Sequence, residues 1–501
     1  MNKKILILLV SMVIFGSSCS DFLSVNEKNP NNASEVSPKL LLPAVLNNIA
    51  SMMNNPSNFE FAYLWHGLWT ISAGYSQPSQ LLQYNLSNSS YQGSFSLSYL
   101  YGQNLSEIEK GSSDPKDVYF LATAMIMKVY LMQNLVDCWG DVPYTEAFKA
   151  GEGILKPKYD KQQVIYEDLI LKLDAAIKLI QTAPAGANAI PTSTDIMFKG
   201  NMALWAKFAN TIKLRMLVHQ SGMTGRDTYI KSAIATTISV GYLGAGESAL
   251  VNPGYLESSG KTNPFYNSFY TAAGTQQDGG VSYWHAGRDA VDFMLAGADA
   301  RIDRFFNKPS TTGHTANFLG QSAALIQSSF TSTMGYSKGV KGFMIGTYDK
   351  SAPILTDFES LFVQAEATER GYLSGTLAKT LYNSAMAQSF DYMGLSTSTA
   401  AAYTAGDKTT VNYDLATNKL TLILQQKWIS LNGIAPIEIW TDYRRTGIPS
   451  FLHFSEDKAK LNATPPVRLL IPQREIDNNG DNVVAVGTIK AFSSKIFWQN
   501  R

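Results

Sequence analysis

The sequence predicts a mainly α-helical fold. Tetratricopeptide-like helical hairpins form a scaffold, and a loop-rich irregular layer lies over it. Three observations carry this expectation. Several segments repeat apolar residues at the helical period. They come in neighbouring pairs joined by short turns, as in stacked hairpin architectures, although no strict repeat length is visible. Between them run long stretches without periodicity, roughly 55–115, 241–287, 307–355 and 395–418. Connections of that length usually carry function or fold as a packed subdomain.

The chain opens MNKKILILLVSMVIFGSSCSD. Lys3 and Lys4 precede an apolar run from Ile5 to Phe15, and small residues Gly16 to Ser18 follow. The run is shorter than the ~20 residues a spanning helix needs. It fits a secretory signal over residues 1–18. Cys19 directly after the signal reads as the lipid-attachment point of a bacterial lipoprotein, with Gly16 standing where such signals usually carry leucine. An ordinary secreted protein is the alternative. Residues 19–38 are polar and turn-rich and read as a lipidated leader. Residues 39–501 read as a single body with the irregular stretches interleaved, so no simple domain cut is expected.

Within that body, YFLATAMIMKVYLMQNLV is apolar nearly all round, as in a helix surrounded by others. In KQQVIYEDLILKLDAAIKLIQ, Val164, Ile165, Leu169, Leu173, Ile177 and Ile180 fall near one face. NMALWAKFANTIKLRMLVH is amphipathic, interrupted by Lys207, Lys213 and Arg215. FESLFVQAEATERGYL and TLAKTLYNSAMAQSFDYM make a further pair, separated near Gly371 and Gly375. LTLILQQKWISLNG reads better as helix than as strand. In WTDYRRTGIP, Arg444 and Arg445 read as cations at a helix C-terminus, where they complement its dipole. Gly447 to Pro449 would stop that helix.

Composition narrows the function. Hydrophobic residues make up 45%, charged residues 16%, and the net charge is +1. The chain is globular, and it lacks the basic excess that phosphate binding requires, so nucleic acid is excluded as a partner. With Cys19 lipidated, Cys138 is the sole remaining cysteine. No intramolecular disulfide is then possible, and Cys138 reads as a small buried hydrophobe. There is no HExxH, GxSxG or phosphate-binding loop, and the five histidines lack metal-ligand spacing. DNNGDN at 477–482 lacks the glycine and glutamate of a calcium loop. No cofactor, metal or catalytic residue is therefore expected. A glycosidase would need two carboxylates across one site. Asp137, Asp141 and Glu146 cluster in sequence, and Glu359 and Glu366 share a helix face. Such acids more often cap helices or pair with arginines such as Arg370.

Several blocks in fixed order resemble the SusD/RagB-type outer-membrane lipoproteins of Bacteroidetes, in particular their SusD-like branch. They are the Cys19 region with SDFLSVNEKNPNNASEVSPKLLLP, then LVDCWGDVPYTEAF, PKYDKQQVIYEDLILKLDAAI and WAKFANTIKLRML. LFVQAEATERGYL, QQKWISLNGIAPIEIWTDYRRTGIP and PPVRLLIPQREIDNNGDNVVAV follow. In the last block, Leu469 and Leu470 stand where members commonly carry an aromatic near the arginine. The resemblance implies a helical scaffold whose irregular layer carries the ligand face. It implies a binder of oligosaccharide, or in some members of peptide, with no enzymatic activity. It also implies a surface-exposed protein anchored in the outer membrane, serving as a lid on a SusC-like TonB-dependent transporter. A surface glycoside hydrolase is the more distant alternative.

No block fixes the ligand residues, so they are chosen by composition. Sugars stack on aromatic rings, while amides and guanidinium groups bond their hydroxyls. YLWHGLWTISAGYSQPSQLLQY supplies Trp65, Trp69, Tyr75, Gln77, Gln80 and Tyr84. NPFYNSFYTAAGTQQDGGVSYWHAGRD supplies Tyr266, Gln276, Asp278, Tyr283, Trp284 and Arg288. Trp65 and Trp69, four apart, read equally well as one helix face in the core. Tyr283 and Trp284, after Gly279 and Gly280, are the stronger candidates.

Overall fold

The computed structural model describes residues 37–72, 74–277, 279–309, 313–321 and 331–499. The signal, Cys19 and the leader through residue 36 lie outside them, as does Asp278.

The helices that form the scaffold are α1 (Pro38–Asn54), α2 (Gln92–Gly111), α3 (Val118–Trp139), α4 (Gln162–Gln181) and α5 (Met202–His219). After these come α6 (Arg288–Gly297), α7 (Asp357–Glu369), α8 (Ala378–Tyr392), α9 (Lys419–Ser430) and α10 (Pro436–Thr446). From α1 to α5 each helix packs on the next in sequence, α7 pairs with α8, and α7 also packs on α5 and α9. Sequence neighbours are thus spatial neighbours, which is the hairpin stacking the periodicity predicts. α3 is long and apolar enough to cross a membrane, yet its most apolar window is 78% buried among the other helices. On α4 the inward face holds Ile165, Tyr166, Leu169, Ile170, Leu173 and Ile177. Val164, expected on that face, is exposed, because the buried stripe centres one position further on.

The expectation of an irregular stretch over 55–115 is overturned by α2, a helix of 20 residues. Its buried face is small rather than apolar: Ser94, Ser98, Gly102 and Ser106 recur at helical spacing beside Phe95, Leu105 and Ile108. The hydroxyls of Ser98 and Ser106 donate to the carbonyls of Ser94 and Gly102 at 2.8 and 3.0 Å, so burial leaves them satisfied. A Cβ on Gly102 would stand 2.5 Å from the Phe148 ring. Gly102→Leu is therefore expected to cost about 1–3 kcal/mol by overpacking, read as a lower denaturation midpoint. An unchanged midpoint would show that the Phe148 ring moves freely aside. A shorter helix, Thr397–Thr404, likewise occupies part of the stretch at 395–418, started by Ser396 capping Thr399.

Among the described residues, strands are few and short. β1 (Trp69–Ile71), β2 (Val142–Pro143), β3 (Tyr159–Asp160), β4 (Ala249–Val251), β5 (Trp284–Ala286), β6 (Phe306–Asn307), β7 (Thr333–Met334) and β8 (Ala352–Leu355) form three small antiparallel sheets. The four-stranded one runs β1–β5–β7–β6, joining chain segments that are far apart in sequence.

A buried ionic network ties four helices. From α5, Arg215 reaches Glu359 of α7 at 2.7 Å, and His219 Nε2 lies 3.1 Å from Glu438 of α10. Lys427 of α9 contacts Glu438 and Asp442 of α10 at 2.5 and 2.9 Å. Arg445 bonds Glu366 with both terminal nitrogens at 2.6 Å and Asp442 at 2.5 Å. Arg444 and Arg445 do stand in the last turn of α10, as expected of cations at a helix C-terminus, and both side chains are buried. Gly447, in the left-handed region at φ +72°, does end α10 as expected.

Candidate functional site

The two aromatic-rich loop stretches are about 200 residues apart in sequence, and β1 and β5 bring them together. Their antiparallel register sets Trp69 opposite Ala286, Thr70 opposite His285 and Ile71 opposite Trp284. The approach just before β1 is close: a Cβ on Gly287 would lie 2.3 Å from the Gly67 carbonyl oxygen. Glycine at 287 is what permits this contact. Gly287 and Ala290 donate from their backbone N–H groups to the carbonyls of Leu68 and Gly67.

The strands themselves are buried, and this divides the candidates. Trp69 is fully buried, stacked on Tyr63 at 4.3 Å, with its indole N–H donating to Asn432 Oδ1 at 2.8 Å. Trp65 is equally buried and donates to the Leu81 carbonyl. Both are core residues. Trp284 is 6% exposed and lies 5.7 Å from the Trp69 ring. It supports the surface from beneath and offers little of its own face to a ligand. Tyr84, buried, accepts a bond from the Ser455 N–H.

Beyond the strand ends the chain comes to the surface. Ser72 donates its N–H to the Tyr283 carbonyl at 2.9 Å, which continues the pairing. Tyr75 and Tyr283, both half-buried, set their rings perpendicular with centroids 5.4 Å apart. The Tyr75 hydroxyl lies 2.6 Å from the Ser282 hydroxyl. Exposed Gln77 holds the turn by donating to the Ser72 and Tyr75 carbonyls. The half-buried Gln80 accepts from Ser90. Tyr91, half-buried and in the left-handed region, lies beside this face, its hydroxyl 3.5 Å from the buried Glu60. Burial pushes the Glu60 carboxyl up to about 8. It therefore stays protonated and uncharged at neutral pH. Burial also pushes Tyr283 up to about 12, with the neighbouring Glu60 adding to the rise.

The remaining candidates fall to either side. Tyr266 is 4% exposed and stacks on Tyr270 at 5.6 Å, which stacks on Tyr336 at 4.0 Å. Exposed Gln276 is bridged by backbone to Tyr270. Arg288, exposed at the start of α6, pairs with Asp292 and lies over the Phe318 ring at 4.8 Å. Phe318 in turn lies 4.3 Å from the His453 ring. Sequence reading did not select Tyr91, Tyr270, Tyr336 or Phe318. Only Tyr270 had a signal, its four-residue spacing from Tyr266; Tyr336 and Phe318 sit in aperiodic chain.

The acids considered for glycoside chemistry are held in structural bonds. Asp137 accepts from Tyr166 and Trp498, Asp141 caps Gln162, and Glu146 accepts from the Lys158 N–H. Glu359 and Glu366 face arginines, Arg370 among them at 2.8 Å. What the surface offers instead is aromatic edges and faces, uncharged amides and hydroxyls, over a core that keeps them rigid.

Comparison with known proteins places the fold. Residues 30–472 match the SusD-like family described as starch-binding and associating with the outer membrane. The chain belongs to that family. Among proteins of curated function, none matches it. A SusD-like protein of Bacteroides thetaiotaomicron superposes with a TM-score of 0.75 at 24% identity, covering 93% of this chain and 99% of that one. A chitin-binding SusD homologue of Flavobacterium johnsoniae gives 0.72 at 22% identity, covering 91% and 98%. A SusD homologue of Bacteroides fragilis gives 0.74 at 20%, covering 93% and 100%.

Proposed function

We propose that the protein is a cell-surface lipoprotein that binds oligosaccharide nutrient on the Tyr75–Tyr283 face and delivers it to a SusC-like TonB-dependent transporter, on which it sits as a lid. The observation that carries the binding part is the pairing of Tyr75 with Tyr283 at the exposed end of the β1–β5 ladder. Membership of a family described as starch-binding, and structural likeness to a chitin-binding homologue, support a glycan as the ligand. Gln77, Gln80, Gln276 and Arg288 supply groups able to bond sugar hydroxyls.

Lipid on Cys19 anchors the body in the outer membrane. Each buried acyl CH₂ contributes ~0.8 kcal/mol, so two or more chains hold stably. The leader over residues 19–38 acts as a leash that keeps the binder close to its barrel while it swings. Two measurements test this reading. Oligosaccharide titration is expected to quench tryptophan fluorescence, since Trp284 packs 4.4 Å from the Tyr283 ring. Quenching by peptides alone would overturn the glycan assignment. Affinity purification from solubilised outer membranes is expected to recover a TonB-dependent barrel, and its absence would overturn the lid assignment.

A further inference from the structure

We propose that a cavity beside the C-terminal half of α10, apart from the tyrosine face, binds a small aromatic carboxylate that carries a hydroxyl group. The cavity has a volume of about 290 Å³ and is lined by Trp440, Tyr443, Pro465, Pro466, Val467 and Phe492. It shares no lining residue with the Tyr75–Tyr283 face. Its size is at the small end for ligand pockets, suited to one ring and not to a sugar chain. Its aromatic and proline walls favour a flat, apolar body.

The charge and hydrogen-bonding groups define the rest of the ligand. Among the described residues, no aspartate or glutamate lines the cavity, while Arg444 and exposed Lys495 do. Arg444 is buried, with its guanidinium over the Trp440 ring at 3.6 Å and 4.9 Å from the Trp498 ring centre. It donates to the Trp440 and Val467 carbonyls and to the Thr441 hydroxyl, all uncharged. Among the described residues, neither Arg444 nor Lys495 makes a close ion pair with a carboxylate, and the charge of buried Asp137 acts on Arg444 only from beyond contact distance. A buried cation without a carboxylate in contact is costly, and burial lowers the Arg444 guanidinium despite Asp137; an anionic ligand offsets that cost.

His66 also lines the cavity and is fully buried. Its Nδ1–H donates to the Ala62 carbonyl at 2.7 Å, which makes Nε2 a bare acceptor, and Nε2 has no hydrogen-bond partner. Burial holds this imidazole down at about 4, so it does not protonate near neutrality to satisfy itself. Gln499 Oε1, another lining group, is likewise without a partner. Orphaned acceptors call for a ligand donor, and a ring hydroxyl, with its single proton, supplies one to His66 Nε2.

The test is calorimetric titration of the full-length protein with 4-hydroxybenzoate, benzoate, phenol and glucose. Saturable one-site binding of 4-hydroxybenzoate is expected, with benzoate about tenfold weaker for want of the donor. His66→Phe is expected to weaken 4-hydroxybenzoate to the level of benzoate and to leave benzoate unchanged. Lys495→Gln is expected to weaken both acids about threefold and to leave phenol unchanged. Val467→Trp, at a half-exposed position, fills the cavity and abolishes binding while leaving His66 itself unsubstituted. Absence of saturable binding by the wild type, binding that survives Val467→Trp, or glucose binding as tightly as the acid would overturn the proposal. The inference is independent of the glycan reading: Tyr75→Ala/Tyr283→Ala retains 4-hydroxybenzoate binding, and any other result sinks it.

Discussion

Replacing Arg445 by methionine is expected to lower stability by about 3–5 kcal/mol, the usual cost of leaving one side of a buried ion pair unmatched. Arg445 is 1% exposed in its side chain and makes two bonds to Glu366 and one ion pair to Asp442. Methionine fills similar volume but leaves Glu366, among the described residues, with Arg370 as its one remaining ion-pair partner. Asp442 keeps Lys427. Chemical denaturation gives the loss directly, provided the slope with denaturant is unchanged. Adding Glu366→Gln to Arg445→Met is expected to recover part of it, because the second change removes the stranded charge. A loss below about 1 kcal/mol in the single variant would mean that water replaces the guanidinium, as at exposed pairs.

The same pair sets an acid limit. Burial alone would raise the Glu366 carboxyl, but the Arg445 guanidinium, helped by Arg370 and Lys427, outweighs it and holds the group down at about 2. A carboxyl whose folded value lies below its unfolded value stabilises the fold above the unfolded value. That contribution is lost as pH falls through the window from about 4.5 to about 2. Glu438, on which Lys427 and His219 act against burial in the same way, also lies well below the ordinary range. Stability should fall on acidification across this window, and Arg445→Met should flatten the fall. A slope equal in both proteins would remove Glu366 from the acid response.

How much of this the sequence makes visible depends on the kind of signal. Helices α3, α4, α5, α7, α8 and α9 bury large apolar side chains at regular spacing, so periodicity finds them. α2 buries serine, glycine and a few apolar residues, and its packing follows from small size and back-bonded hydroxyls, which hydrophobic pattern does not register. The ionic network was half legible. Glu359 and Glu366 on one face pointed to partners, but Arg215 and Arg445 come from other helices, and only the packing brings them there. At the candidate site, composition drew attention to both aromatic stretches, while their meeting through β1 and β5 depends on a register no local pattern encodes. The choice within each stretch also turned on burial. Tryptophan was the more conspicuous residue, yet Trp69 and Trp284 went inward and Tyr75 and Tyr283 stayed at the surface. A phenol ring tolerates water at its polar end, whereas Trp69 satisfies its N–H inside, on Asn432.

That division decides which substitution probes ligand binding. Trp284→Ala removes a core side chain and is expected to cost about 3–5 kcal/mol of stability, so lost binding in it would be ambiguous. Tyr75→Ala and Tyr283→Ala remove half-exposed rings, and each is expected to weaken oligosaccharide binding about tenfold at nearly unchanged stability. Tyr283→Phe keeps the ring and is expected to bind within about threefold of wild type, because stacking and not the hydroxyl supplies most of the contact. The two rings touch edge to face at 5.4 Å, so their effects should not be independent. Removing either one frees the other to turn away from its binding orientation. The double variant is therefore expected to lose clearly less than the hundredfold product of the singles, and that shortfall measures the coupling between the rings. Full additivity would mean that two separate subsites each hold their own sugar unit. No loss in either single variant would move the glycan away from this face, towards the Tyr266–Tyr270–Tyr336 stack or the Arg288–Phe318 pair.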